Sequence, residues 1–63
     1  MIVYNVPGDL DLSVVEVYEA FPNIEIHGIY FHPSTQLFAF RVGTKIIFKH
    51  DEDATAFRLK FGL

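Results

Sequence analysis

The stretch KIIFKHDEDATAFRLKF, residues 45–61, contains the two local patterns from which the fold is predicted. Its first part is rich in β-branched and aromatic residues, as strands are. The acidic cluster 51–53 follows, and carboxylates are favourable at the positive end of a helix dipole. Apolar residues then recur at the spacing of one helix face, namely Ala54, Phe57 and Phe61. The stretch therefore predicts a strand that leads directly into a helix.

A strand remains the alternative for the end of this stretch. Apolar and basic residues alternate strictly over 57–61, as they would in a half-buried strand. The acidic start and the helix-favouring residues within 54–61 favour a helix. That helix would carry a second apolar stripe formed by Ala56, Leu59 and Leu63. A small domain needs one stripe for its core, so the second stripe is a candidate interface.

Upstream, residues 37–42 and 45–50 are predicted to form a hairpin around Gly43-Thr44. A two-residue loop with glycine first suits a type II′ turn, but it would place lysines on the face of the phenylalanines. One extra residue, in a bulge or a three-residue loop, segregates the faces better. The predicted apolar face then contains Phe38, Phe40, Val42, Ile46 and Phe48. The predicted opposite face contains Ala39, Arg41, Lys45, Ile47 and Lys49.

The remaining strands complete the predicted order. Residues 1–6 form a β-branched and aromatic strand that ends at Pro7-Gly8, and residues 24–32 form another, followed by a turn at 32–35. Together these elements predict one α+β domain spanning 1–63. Its order is β-α-β-β-β-α, with helices on one face of a mainly antiparallel sheet.

The first helix is predicted over residues 9–21. Its apolar residues fall on one stripe, consisting of Leu10, Val14, Val17, Tyr18 and Phe21. Two starts remain open: Asp9 is a natural N-cap, with Asp11 in the first turn, whereas Ser13 and Glu16 form a later capping box. Pro22-Asn23 ends the helix in either case.

Composition excludes several classes of protein. The 63 residues are 51% hydrophobic and 21% charged, with a net charge of −3 and no cysteine. This balance excludes intrinsic disorder, a disulfide scaffold, a cysteine-based zinc site and a thiol nucleophile. No apolar run approaches the roughly 18 residues of a membrane span, and the start does not resemble a secretory signal. We therefore expect a soluble, cytoplasmic domain without a membrane partner.

Charge is distributed unevenly along the chain. Residues 1–40 contain five acids and no lysine or arginine, whereas residues 41–63 contain five bases and three acids. The predicted basic stripe Arg41, Lys45 and Lys49, beside Ile47, is a candidate partner-binding face. Weak single-stranded nucleic-acid binding through this basic sheet face is the alternative function. A pI near 5.4 and only five bases speak against it.

Catalytic and metal-binding patterns are weak. His27 and His32 have opposite parity in one predicted strand, so they point to opposite faces. His32 and His50 could meet Asp51 and Asp53 at one sheet edge, but no metal-ligand spacing supports such a cluster. No nucleophile elbow or glycine-rich phosphate loop is present. We predict no metal site, no cofactor, no catalytic residue and no enzymatic activity.

The segment from Ile47 to Gly62 resembles the endings of many short bacteriophage proteins, in which a strand runs into a segment of the form Asp-Ala-x-x-Phe-x-Leu-x-Phe/Trp-Gly. The resemblance covers about a quarter of the chain and defines no catalytic residues. It implies a small phage accessory protein that binds a host or phage macromolecule and alters its activity. The expected function is therefore a non-enzymatic protein-interaction module that modulates or inhibits a host protein or defence system.

Self-association is also predicted. A chain of this length can bury only about 60% of its extended-chain surface, and its aromatic content is high. Exposed apolar patches usually mark interfaces, and a symmetric dimer is the commonest arrangement that buries one. We expect a homodimer through Leu59 and Leu63, together with Ile47, unless a different protein covers the same patch.

Overall fold

The computed structural model describes residues 1–8, 10 and 12–63 and contains five strands and two helices. The elements are β1 (Ile2–Asn5), α1 (Val14–Ala20), β2 (Ile24–His27), β3 (Tyr30–His32), β4 (Leu37–Ala39), β5 (Lys45–Phe48) and α2 (Asp51–Phe61). The predicted α+β class and element order are confirmed. The strand expected over 24–32 is interrupted at Gly28, whose φ of 81° lies outside the strand region.

The three-stranded sheet has the order β1-β5-β2 and is antiparallel throughout. The predicted hairpin between 37–42 and 45–50 is therefore wrong, because β5 pairs with β1 and β2 and not with the strand before it. A turn separates β4 from β5: the Thr44 N–H donates to the Arg41 carbonyl (3.0 Å), and Gly43 has a φ of 94°. Positive φ at the third residue is the requirement of a type II turn, which redirects the chain.

Strands β3 and β4 form a separate two-stranded antiparallel ribbon, residues 30–39. The turn predicted after His32 is present, and the Gln36 N–H donates to the His32 carbonyl at 2.8 Å. Gln36 adopts a φ of 59°, which is unfavourable for a residue with a side chain. The ribbon is joined to the rest of the fold by an isolated bridge between Ser13 and Ala39 and by contacts of α1 with β4.

The core lies between the three-stranded sheet and the two helices. Phe57 of α2 is fully buried, and its ring centroid lies 5.4 Å from that of Phe48 and 5.6 Å from that of Tyr4. Phe21, at the end of α1, packs against both Phe48 and Phe57. Both helices therefore cover the same sheet face. Two residues predicted for this apolar face, Phe38 and Val42, are instead exposed.

The helix boundaries follow local signals. Helix α1 begins at the later of the two predicted starts, with Ser13 as its N-cap, since the Glu16 N–H donates to Ser13 Oγ at 3.5 Å. The alternative cap, Asp9, and its neighbour Asp11 lie outside the described residues. Helix α2 confirms the predicted helix: it begins at Asp51, in the acidic cluster, and includes all of 54–61. Gly62 ends it with a φ of 70°, and this left-handed conformation is typical of a helix C-terminus.

Thr44 ties together segments that are distant in sequence. Its side chain is fully buried, and Oγ1 accepts from the Arg41 N–H (3.1 Å) and donates to the Gly28 carbonyl (2.9 Å). Its own carbonyl accepts from the Val6 N–H at 2.9 Å. Thr44 thus fixes the turn before β5 to the junction between β2 and β3.

Candidate functional site

The face of the three-stranded sheet opposite the helices is open to solvent. Ile46 and Phe48 of β5 point into the core, so Lys45 and Ile47 point to the other side. Register places Val3 and Glu25 beside Ile47, and Asn5 and His27 beside Lys45. We call these residues, Val3, Asn5, Glu25, His27, Lys45 and Ile47, the outer sheet face. Its members are exposed except Ile47, which is half-buried.

The predicted basic stripe is only partly assembled. Lys45 belongs to the outer sheet face, and exposed Lys49 directly follows β5. Arg41, in contrast, lies in the turn before β5 and lines a hollow beside the ribbon. The separation follows from the absence of the predicted hairpin, because alternation along two paired strands was the reason to group these residues.

The charge of the outer sheet face is mixed. Glu25 Oε2 and His27 Nε2 lie 3.2 Å apart, and both side chains are more than half exposed. An exposed pair of this kind contributes little stability. The face therefore combines one lysine with an acid–histidine pair and two aliphatic side chains. None of its six residues is Phe, Tyr or Trp, and its single aromatic ring, the His27 imidazole, is paired with Glu25, so it lacks the large stacking platforms of single-strand binders.

The second apolar stripe of α2 is exposed, as its position predicts. Leu59 is 80% exposed and Leu63 is 41% exposed, whereas Ala54 and Phe57 on the opposite side are buried. The two candidate interface leucines thus lie away from the core. Each is available for contact with another molecule.

The ribbon carries a larger apolar surface that the sequence patterns did not single out. Phe31 and Phe38 are directly opposite each other, with ring centroids 5.4 Å apart, and are 47% and 49% exposed. Tyr30 and Leu37, on the other face of the ribbon, are 40% and 57% exposed. One signal could have revealed it: residues 28–40 contain no Asp, Glu, Lys or Arg. Such an interval is unusual in an exposed segment.

A surface hollow of about 410 Å³ lies on the inner side of the ribbon. Its lining residues are Leu10, Tyr30, His32, Ala39, Phe40 and Arg41. His32 Nδ1 is hydrogen-bonded to Ser34 Oγ at 2.7 Å, which fixes the imidazole orientation. Apolar side chains form most of the lining, while one guanidinium, one imidazole and one phenol supply its polar groups. A second hollow of about 350 Å³ adjoins it.

The cluster of His32 and His50 with Asp51 and Asp53, which was considered at one sheet edge, does not form. His32 lies in the ribbon, whereas His50 precedes α2. Across the described part of the chain, no three His, Asp or Glu side chains come together in a way that could hold a metal ion. Within the same residues, no helix is both long and apolar enough to cross a bilayer.

Comparisons with models of protein families, with curated proteins and with solved structures found no match for this chain. Functional inference therefore depends on the surfaces described above.

Proposed function

We propose that this chain is a small, non-enzymatic protein-interaction module, and that the ribbon is its main docking surface. The observation that carries the proposal is the half-exposed pair Phe31 and Phe38 on an uncharged, two-stranded ribbon. Two-stranded hairpins are marginally stable by themselves in water. A partner that covers the apolar surface of such an element therefore also stabilises the element itself.

The chemistry of the ribbon defines its partner. Because residues 28–40 carry no acidic or basic side chain except His32, the surface selects apolar and aromatic groups and does not attract a strongly charged patch. An aromatic side chain has on the order of 200 Å² to bury. Covering the exposed half of one ring, Phe31 or Phe38, therefore gains about 2.5 kcal/mol of hydrophobic free energy before the entropy costs of association are subtracted. Two such rings are sufficient as the hot spot of an interface.

The resemblance of the C-terminal segment to short bacteriophage proteins suggests a biological role for this interaction module. The chain would be a phage-encoded modulator or inhibitor of a host protein or defence system, acting in the host cytoplasm. In that form the ribbon covers an apolar site on the host target. Occupation of the site alters the activity of the target without any chemistry by this chain.

Weak nucleic-acid binding, the alternative function, has less support. Arg41 lies apart from Lys45 and Lys49, and the outer sheet face carries Glu25 and no Phe, Tyr or Trp. Two or three phosphate contacts would give binding that weakens steeply towards physiological salt. An apolar interface should respond little to the same change.

The test is a purified binary binding assay with matched variants. A candidate target is captured from host lysate and purified, and its affinity is measured for the native chain and for the double variant Phe31→Ala/Phe38→Ala. The matched control, Val42→Ser/Leu59→Ser, removes two apolar side chains that are more exposed and lie outside the ribbon. Circular dichroism establishes that each variant is folded.

The ribbon variant should weaken binding by at least 100-fold, on the order of 3 kcal/mol, while the control retains native affinity. Equal affinities for the native chain and the ribbon variant would overturn the proposal. Loss of capture after nuclease treatment, or between low and physiological salt, would instead support nucleic-acid binding.

A further inference from the structure

Among the described residues, none forms a strand on the outer edge of β1. In the sheet order β1-β5-β2, strand β1 is paired on one side only. The single isolated bridge of the described residues joins Ser13 to Ala39 and leaves β1 untouched. Met1, Ile2 and Val3 are exposed along this edge. An open edge is a template for another strand.

The direction of the unpaired backbone groups follows from the register. The Val6 N–H donates to the Thr44 carbonyl at 2.9 Å, which makes these two residues a hydrogen-bonded pair of the antiparallel ladder. Because the direction of the backbone N–H and C=O groups alternates from residue to residue along a strand, those of Ile2 and Tyr4 also point towards β5. The N–H and C=O groups of Val3 and Asn5 point to the open edge.

This edge lacks the features that usually prevent pairing. Residues 1–6 contain no charged side chain and no proline. The opposite edge strand, β2, carries Glu25 and His27 and is followed directly by Gly28. Charges and interruptions of this kind protect sheet edges. The two edges of the three-stranded sheet therefore differ, and β1 is the one that its sequence leaves unprotected.

We propose that a second copy of this chain pairs with the edge of β1 in antiparallel orientation. The two-fold axis passes through the sheet at Tyr4, so Val3 of each copy lies opposite Asn5 of the other. This register uses every outward backbone group of those residues and forms four hydrogen bonds. The product is a continuous six-stranded sheet, β2-β5-β1-β1-β5-β2. The contact is independent of the ribbon.

Helix α2 supplies charge complementarity to this arrangement. Phe57 packs on Tyr4, and the Arg58 guanidinium lies 5.1 Å from the Tyr4 ring centroid, so α2 lies close to the proposed axis. A two-fold axis perpendicular to a sheet makes the two α2 helices antiparallel. The acidic first turn of each helix, 51–53, then lies beside the basic last turn of the other, which contains Lys60.

The proposed contact is small. Five residues of edge strand extend about 17 Å, and their contact area falls well below the roughly 800 Å² per partner of a standard interface. The two Arg58 side chains also approach the axis, and their like charges repel each other, which weakens the contact. The proposal therefore predicts reversible dimerisation in the micromolar to millimolar range.

The test compares self-association of the native chain with that of two edge variants, Val3→Pro and Asn5→Pro. Each variant removes an outward N–H that β5 does not use, and proline is tolerated at such edge positions. Leu59→Lys is the matched control, because it places a charge on the exposed α2 stripe instead. Sedimentation equilibrium from about 10 µM to about 1 mM gives the mass, and circular dichroism establishes folding.

The native chain should pass from 7.2 kDa towards twice that mass, with slower hydrogen exchange at the Val3 and Asn5 amides as concentration rises. Either proline variant should weaken dimerisation about tenfold or more, since two of four hydrogen bonds are lost, and Leu59→Lys should leave it unchanged. A native mass fixed at 7.2 kDa, or concentration-independent exchange at both amides, would overturn the proposal. A dimer that Leu59→Lys abolishes would also overturn it. The exchange measurement on the native chain decides even if a proline variant does not fold.

Discussion

Replacing Thr44 with valine should destabilise the fold through the loss of one hydroxyl group. Valine has nearly the same shape as threonine, so the fully buried site remains filled. The change removes the acceptor of the Arg41 N–H and the donor to the Gly28 carbonyl. The change therefore removes the side-chain link between the turn before β5 and the β2–β3 junction.

The expected loss of unfolding free energy follows from the two hydrogen bonds of the Thr44 hydroxyl. Each contributes about 0.5–1.5 kcal/mol net, and a buried group left without a partner costs about 1–3 kcal/mol. Arg41 and Gly28 are exposed residues, so water can partly replace the hydroxyl. We expect a loss of about 2 kcal/mol. A chain of this length has about 3–9 kcal/mol in total, so this loss is a large fraction.

The assay is thermal and urea unfolding followed by circular dichroism. A loss of about 2 kcal/mol lowers Tm by about 8–16 °C in a domain of this size. Thr44→Ser is the matched control, because it keeps the hydroxyl and removes only a methyl group. Thr55→Val removes an exposed hydroxyl from α2 and should change stability by less than about 0.5 kcal/mol. The reasoning is refuted if Thr44→Val costs less than Thr44→Ser, or if it leaves Tm unchanged.

Three further substitutions test other parts of the fold by the same unfolding assays. Phe57→Ala removes a fully buried ring and should cost about 3–5 kcal/mol, a large part of the total stability, and lower Tm more than Thr44→Val does; a cooperative transition near the native Tm would contradict the assigned core. Gly28→Ala should cost more than Gly43→Ala, because both residues have positive φ but only at Gly28 would a new Cβ lie 3.3 Å from a backbone oxygen; equal losses would show that strain alone matters. Gln36→Gly should stabilise by about 0.5–1 kcal/mol by relieving a positive φ, and a lower Tm would contradict the turn geometry.

Most local elements could be predicted from the sequence, because their signals depend on neighbouring residues. The acidic cluster 51–53 and the stripe of Ala54 and Phe57 were sufficient to predict α2, although strict alternation at its end also fitted a strand. The Ser13–Glu16 capping box was one of two predicted starts for α1, and the structure begins the helix there.

The candidate surfaces were predicted less completely. Exposure of Leu59 and Leu63 follows from their position on α2, which the helical spacing specifies. Grouping Arg41 with Lys45 depended on a hairpin that does not form. The exposure of Phe31 and Phe38 was not predicted, because aromatic residues in a predicted strand are normally assigned to a core. Only the absence of charge over 28–40 distinguished this segment.

By itself, the sequence determined the α+β class, the order of the elements and the residues of α2 that face inward, because periodicity and end signals act over one or two helical turns. Tertiary structure decided which strands pair. The alternation of core-facing and outward-facing residues along β5 was compatible with a hairpin to the preceding strand. It was equally compatible with a central position between β1 and β2. The central position was decided by contacts between distant segments: Ile46 and Phe48 are completely buried beneath the helices, and Thr44 fastens the preceding turn to Gly28. A period of two specifies which face of a strand is buried, but it contains no information about the neighbouring strand.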